Sequence, residues 1–209
     1  RAHTVVVPNL LPADAAILAA PWTGPSENAR PKVVTLARYD VWQKGLDRLA
    51  SIAKLLPDVD FVVHGETDRN APRAAQRLID AAPSNLTFPG PVHGAEKDRV
   101  LAEASLFVQP SRWEGMSVAL LEALARGIPC AVSTSVAAGI PDAERTVLTL
   151  PDEPARAAEH IRAVLHNPVA LAALSSAGPE WIRATTDPST VLSDLDRAYL
   201  GDPIPTGDP

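Results

Sequence analysis

Between Gln109 and Pro129 the chain reads QPSRWEGMSVALLEALARGIP: an apolar strand ends, a polar turn follows, and an almost wholly apolar helix begins. Two carboxylates stand there, Glu114 in the turn and Glu122 in the middle of the helical pattern. A helical glutamate ordinarily faces water, but Ala119, Leu120, Leu121, Ala123 and Leu124 surround Glu122 with apolar neighbours. A carboxylate buried without a partner costs several kcal/mol, so something polar must meet it. The two acids are eight positions apart. Read as one helix, that spacing turns about 80° beyond two full turns and rises about 12 Å. It is too long for a proton-sharing pair or a two-carboxylate hydrolase, whose carboxyl groups sit about 5–9.5 Å apart. It suits the two ends of one elongated ligand. The amides of Gly115, Met116 and Ser117 at the helix start, helped by the macrodipole, make an anion site between them. A ligand with sugar, phosphates and sugar in line fits that order.

Two cations join this set. Arg38 ends the first strand pattern and Lys44 opens the helix after it. A lysine in a first helical turn opposes the macrodipole, at about 0.3–1 kcal/mol, and a bound diphosphate reverses the sign. Without such a ligand Lys44 simply reaches into water. Asp40 and Gln43 look like a capping pair for the same helix.

These residues need a frame. Short continuous apolar runs at Val33–Ala37, Phe61–His64, Leu86–Phe88, Leu106–Gln109, Cys130–Ser133 and Val147–Leu150 suit parallel strands covered on both faces. Between them lie helical patterns: Leu46, Leu49, Ala50, Ala53 and Leu56, then Ala74–Ala82, Glu96–Ala104, Ser117–Arg126 and Pro154–Leu165. Alternation of this kind predicts an α/β fold, a doubly wound Rossmann-like parallel sheet. Ligands of such sheets bind beyond the carboxyl ends of the strands. Arg38, Gly65–Glu66, Gly90–His93, Ser111–Gly115 and Ser133–Ser135 stand at those ends.

Composition excludes several classes. A net charge of −6, with no basic run, argues against a nucleic-acid partner. One cysteine, Cys130, excludes a disulfide framework and points to a reducing, cytoplasmic compartment. No run is long enough for a transmembrane segment. The histidines lack zinc spacing, Asp58–Val59–Asp60 reads as a solvated turn, and no metal site is expected. No dinucleotide or P-loop glycine motif occurs. Trp42 and Trp113 flank the expected cleft, with packing inside the fold the expected role of each, and Cys130 reads as inert core. Ala20 to Pro31 reads as a loop and Gly201 to Pro209 as a disordered tail.

The ordered set Arg38…Lys44–Gly45–Leu46–Asp47, Glu114–Gly115–Met116–Ser117…Glu122–Ala123 and Gly127–Ile128–Pro129 resembles the donor-binding half of retaining GT-B glycosyltransferases of the GT4 type, the group 1 glycosyl transferases. Val5–Val6–Val7–Pro8–Asn9 is similar to the segment that leads into that half. The resemblance implies an enzyme, a hexosyltransferase that moves a hexose from a UDP-, GDP- or ADP-sugar to a saccharide or lipid-linked acceptor. It implies Arg38, Lys44 and Glu114 as the catalytic set, the cations meeting the diphosphate and Glu114 holding the sugar. Gly115, Met116 and Ser117 would donate amides to the donor, Glu122 would accept the ribose hydroxyls, and Val92 and His93 would lie against the base. No cofactor or metal is implied beyond the nucleotide sugar as co-substrate.

The chain departs from the family pattern in places. Leu10 follows Asn9, and Ala138–Gly139–Ile140–Pro141–Asp142 stands for a glycine-glycine-x-proline-glutamate stretch. Starting at Arg1, the sequence reads as a fragment whose N-terminal acceptor-binding domain is missing, and without that domain little transfer is expected. Residues 1–31 would be the interdomain connection and 32–185 the nucleotide-sugar-binding domain. Residues 186–209 would be a crossover helix, near Thr190–Leu200, with the tail. Membrane association would depend on the missing domain. Two other readings share this architecture: a non-catalytic scaffold or partner subunit, and a sugar-nucleotide epimerase.

Overall fold

Successive residues of a strand leave to opposite faces, and here both faces are apolar. Val33, Leu106, Val108 and Ala131 enter one core, while Val34, Phe107, Cys130 and Val132 enter another. A continuous apolar run is therefore what each central strand needs. The computed structural model describes residues 29–200 together with Asn9, Leu11, Trp22 and Gly24.

Six strands form one parallel sheet: β1 (Lys32–Leu36), β2 (Asp60–His64), β3 (Leu86–Thr87), β4 (Leu106–Gln109), β5 (Cys130–Ser133) and β6 (Leu148–Leu150). Their order is β3-β2-β1-β4-β5-β6, with Val33 paired to Phe61 on one side and to Leu106 on the other. The chain runs outward from β1 to β3 and then returns to β4, so the winding reverses between β1 and β4. That reversal opens a crevice at the carboxyl ends of those two strands, the place where such sheets bind ligands. The predicted doubly wound α/β sheet is what forms.

Helices α1 (Leu46–Leu55), α2 (Pro72–Asp80) and α7 (Pro154–Leu165) contribute to the first core. Helices α3 (Gly94–Ala102), α4 (Val118–Ala125) and α5 (Thr134–Ala137) contribute to the second. A short α6 (Ala143–Thr146) precedes β6, and α8 (Pro168–Thr185) and α9 (Pro188–Leu200) follow α7. The longest helix, α8, has no counterpart in the sequence patterns, because Pro179 interrupts it and reads as a breaker. Tertiary contact overrides that signal. Gly178 lets the helix lie against the backbone of α4, where a Cβ would come within 2.9 Å of the Leu124 carbonyl oxygen.

The expected loop over Ala20 to Pro31 is described only in part. Within it Trp22 is anchored: its indole N–H donates to the Ala104 carbonyl at 2.8 Å, and its amide donates to the Arg126 carbonyl at 3.1 Å. Val5 to Pro8, the rest of the segment before residue 29 and the tail Gly201 to Pro209 lie outside the described residues. No helix among the described residues is long and apolar enough to cross a membrane.

Candidate donor site

The loops after β1, β2 and β3 are tied together before any ligand is considered. Ala37 and Gly65 donate their amides to the carbonyls of His64 and Gly90, at 2.9 and 3.1 Å. Tyr39 closes the set. Its hydroxyl donates to the Val63 carbonyl at 3.1 Å and accepts from the Gly90 amide at 3.0 Å, and its ring packs edge-on against Phe88. Burial raises the Tyr39 hydroxyl's pKa, and backbone hydrogen bonds only partly offset that. Tyr39 holds the wall against which Arg38 stands, and sequence reasoning missed it.

The loops after β1 and β4 meet through Gly45, which has a φ of 64°. A Cβ there would sit 2.1 Å from the Pro110 carbonyl oxygen, so only glycine fits. Arg112 fastens the same two loops. Its guanidinium donates twice to Asp47, at 2.8 and 2.7 Å, and stacks 3.6 Å from the centre of the Trp42 ring. Burial alone would raise the Asp47 carboxyl, but Arg112's hydrogen bonds and charge outweigh it and hold the group below its ordinary value. Trp42 is 62% exposed and Trp113 51%, so neither is core. That corrects the expectation of packing inside the fold: Trp42 serves as a plate for Arg112, and Trp113 stays half exposed.

Helix α1 begins at Leu46, after a turn over residues 41–45. Lys44 therefore does not oppose the dipole from a first turn, nor does it reach into water. Its ammonium donates to Glu114 Oε1 at 2.7 Å, and its side chain is only 20% exposed. Asp40 accepts from the Gln43 amide at 2.9 Å, which caps that turn, not the helix. Ser111, buried behind it, donates to the same Glu114 oxygen at 2.6 Å.

Glu114 is off the helix as well. Ser117 is the N-cap of α4, its hydroxyl accepting from the Leu120 amide at 3.3 Å. The helical extrapolation from Glu114 to Glu122 does not apply, because the chain before Ser117 turns away. The two acids face different spaces, divided by the first turn of α4. Glu122, Arg38, Val92, His93 and Lys97 line a cleft of about 400 Å³. Glu114, Gly115, Met116 and Ser117 line a narrow crevice of about 40 Å³, floored by Ser135 and Trp181. Lys44 touches this site through Glu114. Among the described residues, no hydrogen bond takes up the amides of Gly115, Met116 or Ser117. Asn9 pins this loop, its amide group donating to the Met116 carbonyl at 2.9 Å.

The polar partner demanded by Glu122 is Lys97. The carboxylate is nearly buried, and Lys97 Nζ donates to its Oε1 at 2.7 Å. Sequence reasoning missed Lys97, which lies on α3, 25 positions earlier and across a strand. The only signal was the need itself, a buried acid demanding a cation. Arg38, half exposed, makes two looser contacts, 3.5 Å to Asp40 and 3.5 Å to Asp68. Asp60, the third residue of the DVD stretch, pairs with Arg30 at 2.7 Å and starts β2, the strand end opposite the cleft. No cluster of three metal-ligating side chains occurs among the described residues. Cys130 is fully buried, and burial pushes its thiol far above the usual range.

A parallel sheet wound in this order, with helices on both faces, defines a Rossmann-like domain. Residues 30–167 match the family model described as glycosyl transferases group 1, and the chain belongs to that family. It is 31% identical over 116 residues to the sulfoquinovosyl transferase SQD2 of Arabidopsis thaliana, covering 56% of this chain and 21% of that protein. It is 33% identical over 117 residues to the N,N'-diacetylbacillosaminyl-diphospho-undecaprenol alpha-1,3-N-acetylgalactosaminyltransferase of Campylobacter jejuni, covering 54% of this chain and 29% of that one. The chain thus matches less than a third of the length of either relative. In fold it is similar to a TarM mutant of S. aureus solved with fondaparinux, alpha-GlcNAc-glycerol and UDP. The TM-score is 0.73 at 20% identity, over 92% of this chain and 38% of that one.

Proposed function

We propose that this chain binds the donor of a glycosyl transfer, a nucleoside diphosphate sugar laid across the first turn of α4. The ribose hydroxyls lie on Glu122 in the cleft, with the base toward Val92 and His93. The diphosphate runs over the amides of Gly115, Met116 and Ser117, and the sugar's hydroxyls meet Glu114 in the crevice. One observation carries this. Two nearly buried carboxylates, each tied to a lysine through one oxygen, flank a helix start whose preceding amides have no partner among the described residues.

The chemistry follows from the charges. When the bond from the anomeric carbon to phosphate breaks, negative charge grows on the departing diphosphate. Unpaired amides at the helix start stabilise it without reorganising, and nearby cations add to that. Arg38 is half exposed and holds its two acids only at 3.5 Å, so it turns toward phosphate at small cost. Lys44 pairs with Glu114 at 2.7 Å and brings a second cation to the edge of the track. The full enzyme is then a retaining hexosyltransferase that needs no metal and acts on a saccharide or lipid-linked acceptor. An N-terminal domain holds that acceptor, and α9 packs toward it. Two relatives carry sugar transfer in their names, and the similar TarM structure holds UDP, which supports this choice.

Calorimetry with UDP, GDP and ADP tests the idea. Wild-type chain should bind one of them, and Glu122→Ala should weaken that binding about tenfold or more, the loss of hydrogen bonds to a charged group. If the wild type binds none at millimolar ligand, the proposal fails.

A further inference from the structure

Glu122 presents a problem that binding a ribose does not solve. Hydroxyls are neutral, so they can satisfy the carboxylate's lone pairs but not its charge. If the ligand displaced Lys97, a nearly buried anion would be left uncompensated, beside an anionic ligand. A carboxylate has about four acceptor positions, and Lys97 occupies one of them, on Oε1. No hydrogen bond to Oε2 occurs among the described residues.

We infer that Lys97 is a positioning residue for the nucleotide: it stays on Glu122 when the ligand binds, balances that carboxylate's charge, and leaves Oε2 for the ribose hydroxyls. This rests on the nucleotide reading above. Other charges near Glu122 do not replace Lys97. From the end of β2 and the loops after β1, β2 and β3, His64, Arg38, Glu66 and His93 share the cleft wall. Arg38 stands 3.5 Å from Asp40 and Asp68 and, in the nucleotide reading, turns to the diphosphate and not to Glu122, and His64 has its Nδ1 3.1 Å from the Gly90 carbonyl oxygen. At the C-cap of α4, Arg126 meets the backbone carbonyl of Glu122, not its carboxylate, and pairs with Asp98 of α3. Lys97 is the cation bonded to the carboxylate.

Removing it makes a distinctive change. Without Lys97 the nearly buried Glu122 carboxylate has no bonded cation beside an anionic ligand, and nothing fixes its orientation. The experiment measures the dissociation constant of UDP, GDP and ADP for the wild-type chain, Lys97→Met and Lys97→Arg. Lys97→Met should weaken binding about tenfold, the loss of one hydrogen bond to a charged group. Lys97→Arg should restore binding to within about threefold. Lys97→Gln serves as a second neutral variant if Lys97→Met melts below the assay temperature, and it should weaken binding alike. Folded neutral variants that bind within about twofold of wild type, or no rescue by Lys97→Arg, overturn the inference while leaving the nucleotide reading intact. Failure of the wild type to bind any of the three diphosphates overturns both.

Discussion

The two carboxylates of the site are buried to nearly the same depth, with side chains 10% and 8% exposed, yet they are held in different ways. Glu114 sits among loops and takes two donors on one oxygen, Lys44 at 2.7 Å and Ser111 at 2.6 Å. Those donors are fixed by a turn and by a loop that touch at Gly45 and Pro110. Glu122 sits on a helix and takes one donor, Lys97, from a second helix. Helix α3 is lightly anchored, with Val100 and Leu101 its only buried residues. The crevice end is thus held redundantly, while the cleft end depends on a single ion pair between helices. Disturbing the first end should require breaking the backbone contact beneath it, whereas one side-chain change suffices at the second.

The largest effect is expected at that backbone contact. Gly45→Ala adds a Cβ 2.1 Å from the Pro110 oxygen at a φ of 64°. The strain and the displaced loop should cost at least about 3 kcal/mol, measured as a shift of the urea midpoint. Next comes Lys97→Met, which strands Glu122. A one-sided break of a buried pair costs about 3–5 kcal/mol, but Lys97 is 27% exposed, and water reaching the site reduces this to about 2 kcal/mol. The double variant Lys97→Met/Glu122→Leu should regain most of that stability while losing nucleotide binding. A double variant no more stable than Lys97→Met would show that Lys97 supports the fold by its methylene stem alone.

Much of this was legible in the sequence, for reasons that differ by element. The central strands were visible because they are covered on both faces and must be largely apolar, as in Leu106–Gln109, buried at every position. The acids and cations were visible because a charge in an apolar context is improbable without a use. What could not be read was who meets whom. Lys97 and Glu122 are joined by packing across β4, and Ser111 looks like any loop serine until its hydroxyl is found on Glu114. Helix α8 was hidden for another reason: Gly178 and Pro179 read as a break, yet a close approach to α4 needs the glycine. The spacing of Glu114 and Glu122 misled in one respect, since the helix starts only after Ser117 and the acids open onto two spaces.

The redundancy at Glu114 can be sharpened by removing one donor. Ser111→Ala deletes the 2.6 Å bond and leaves Lys44 in place, so the loss should be about 1 kcal/mol, less than at Lys97. Donor binding should fall only a few-fold. A loss as large as that of Lys97→Met would mean the two ends are equally fragile and would sink the contrast.

The smallest effect concerns the outer fastening of the crevice end, Arg112 on Asp47, and it is read through pH. Burial alone would raise the Asp47 carboxyl above its ordinary value of 3.8, but Arg112's hydrogen bonds and charge bring it below. A carboxyl depressed in the folded state contributes stability that is fully present above its unfolded value. That contribution is lost as pH falls through the folded value. In Arg112→Met burial and the backbone amides of Arg48 and Asp47 remain, so the folded value rises and acid removes less of that contribution. Wild type and variant should therefore differ more at pH 5 than near pH 3, by urea unfolding at each pH. Asp47 is 40% exposed, and screening by water keeps the difference below about 1 kcal/mol. A gap that stays constant with pH would mean Arg112 holds the loop by stacking on Trp42 and by its bond to the Trp42 carbonyl, with its charge on Asp47 contributing nothing.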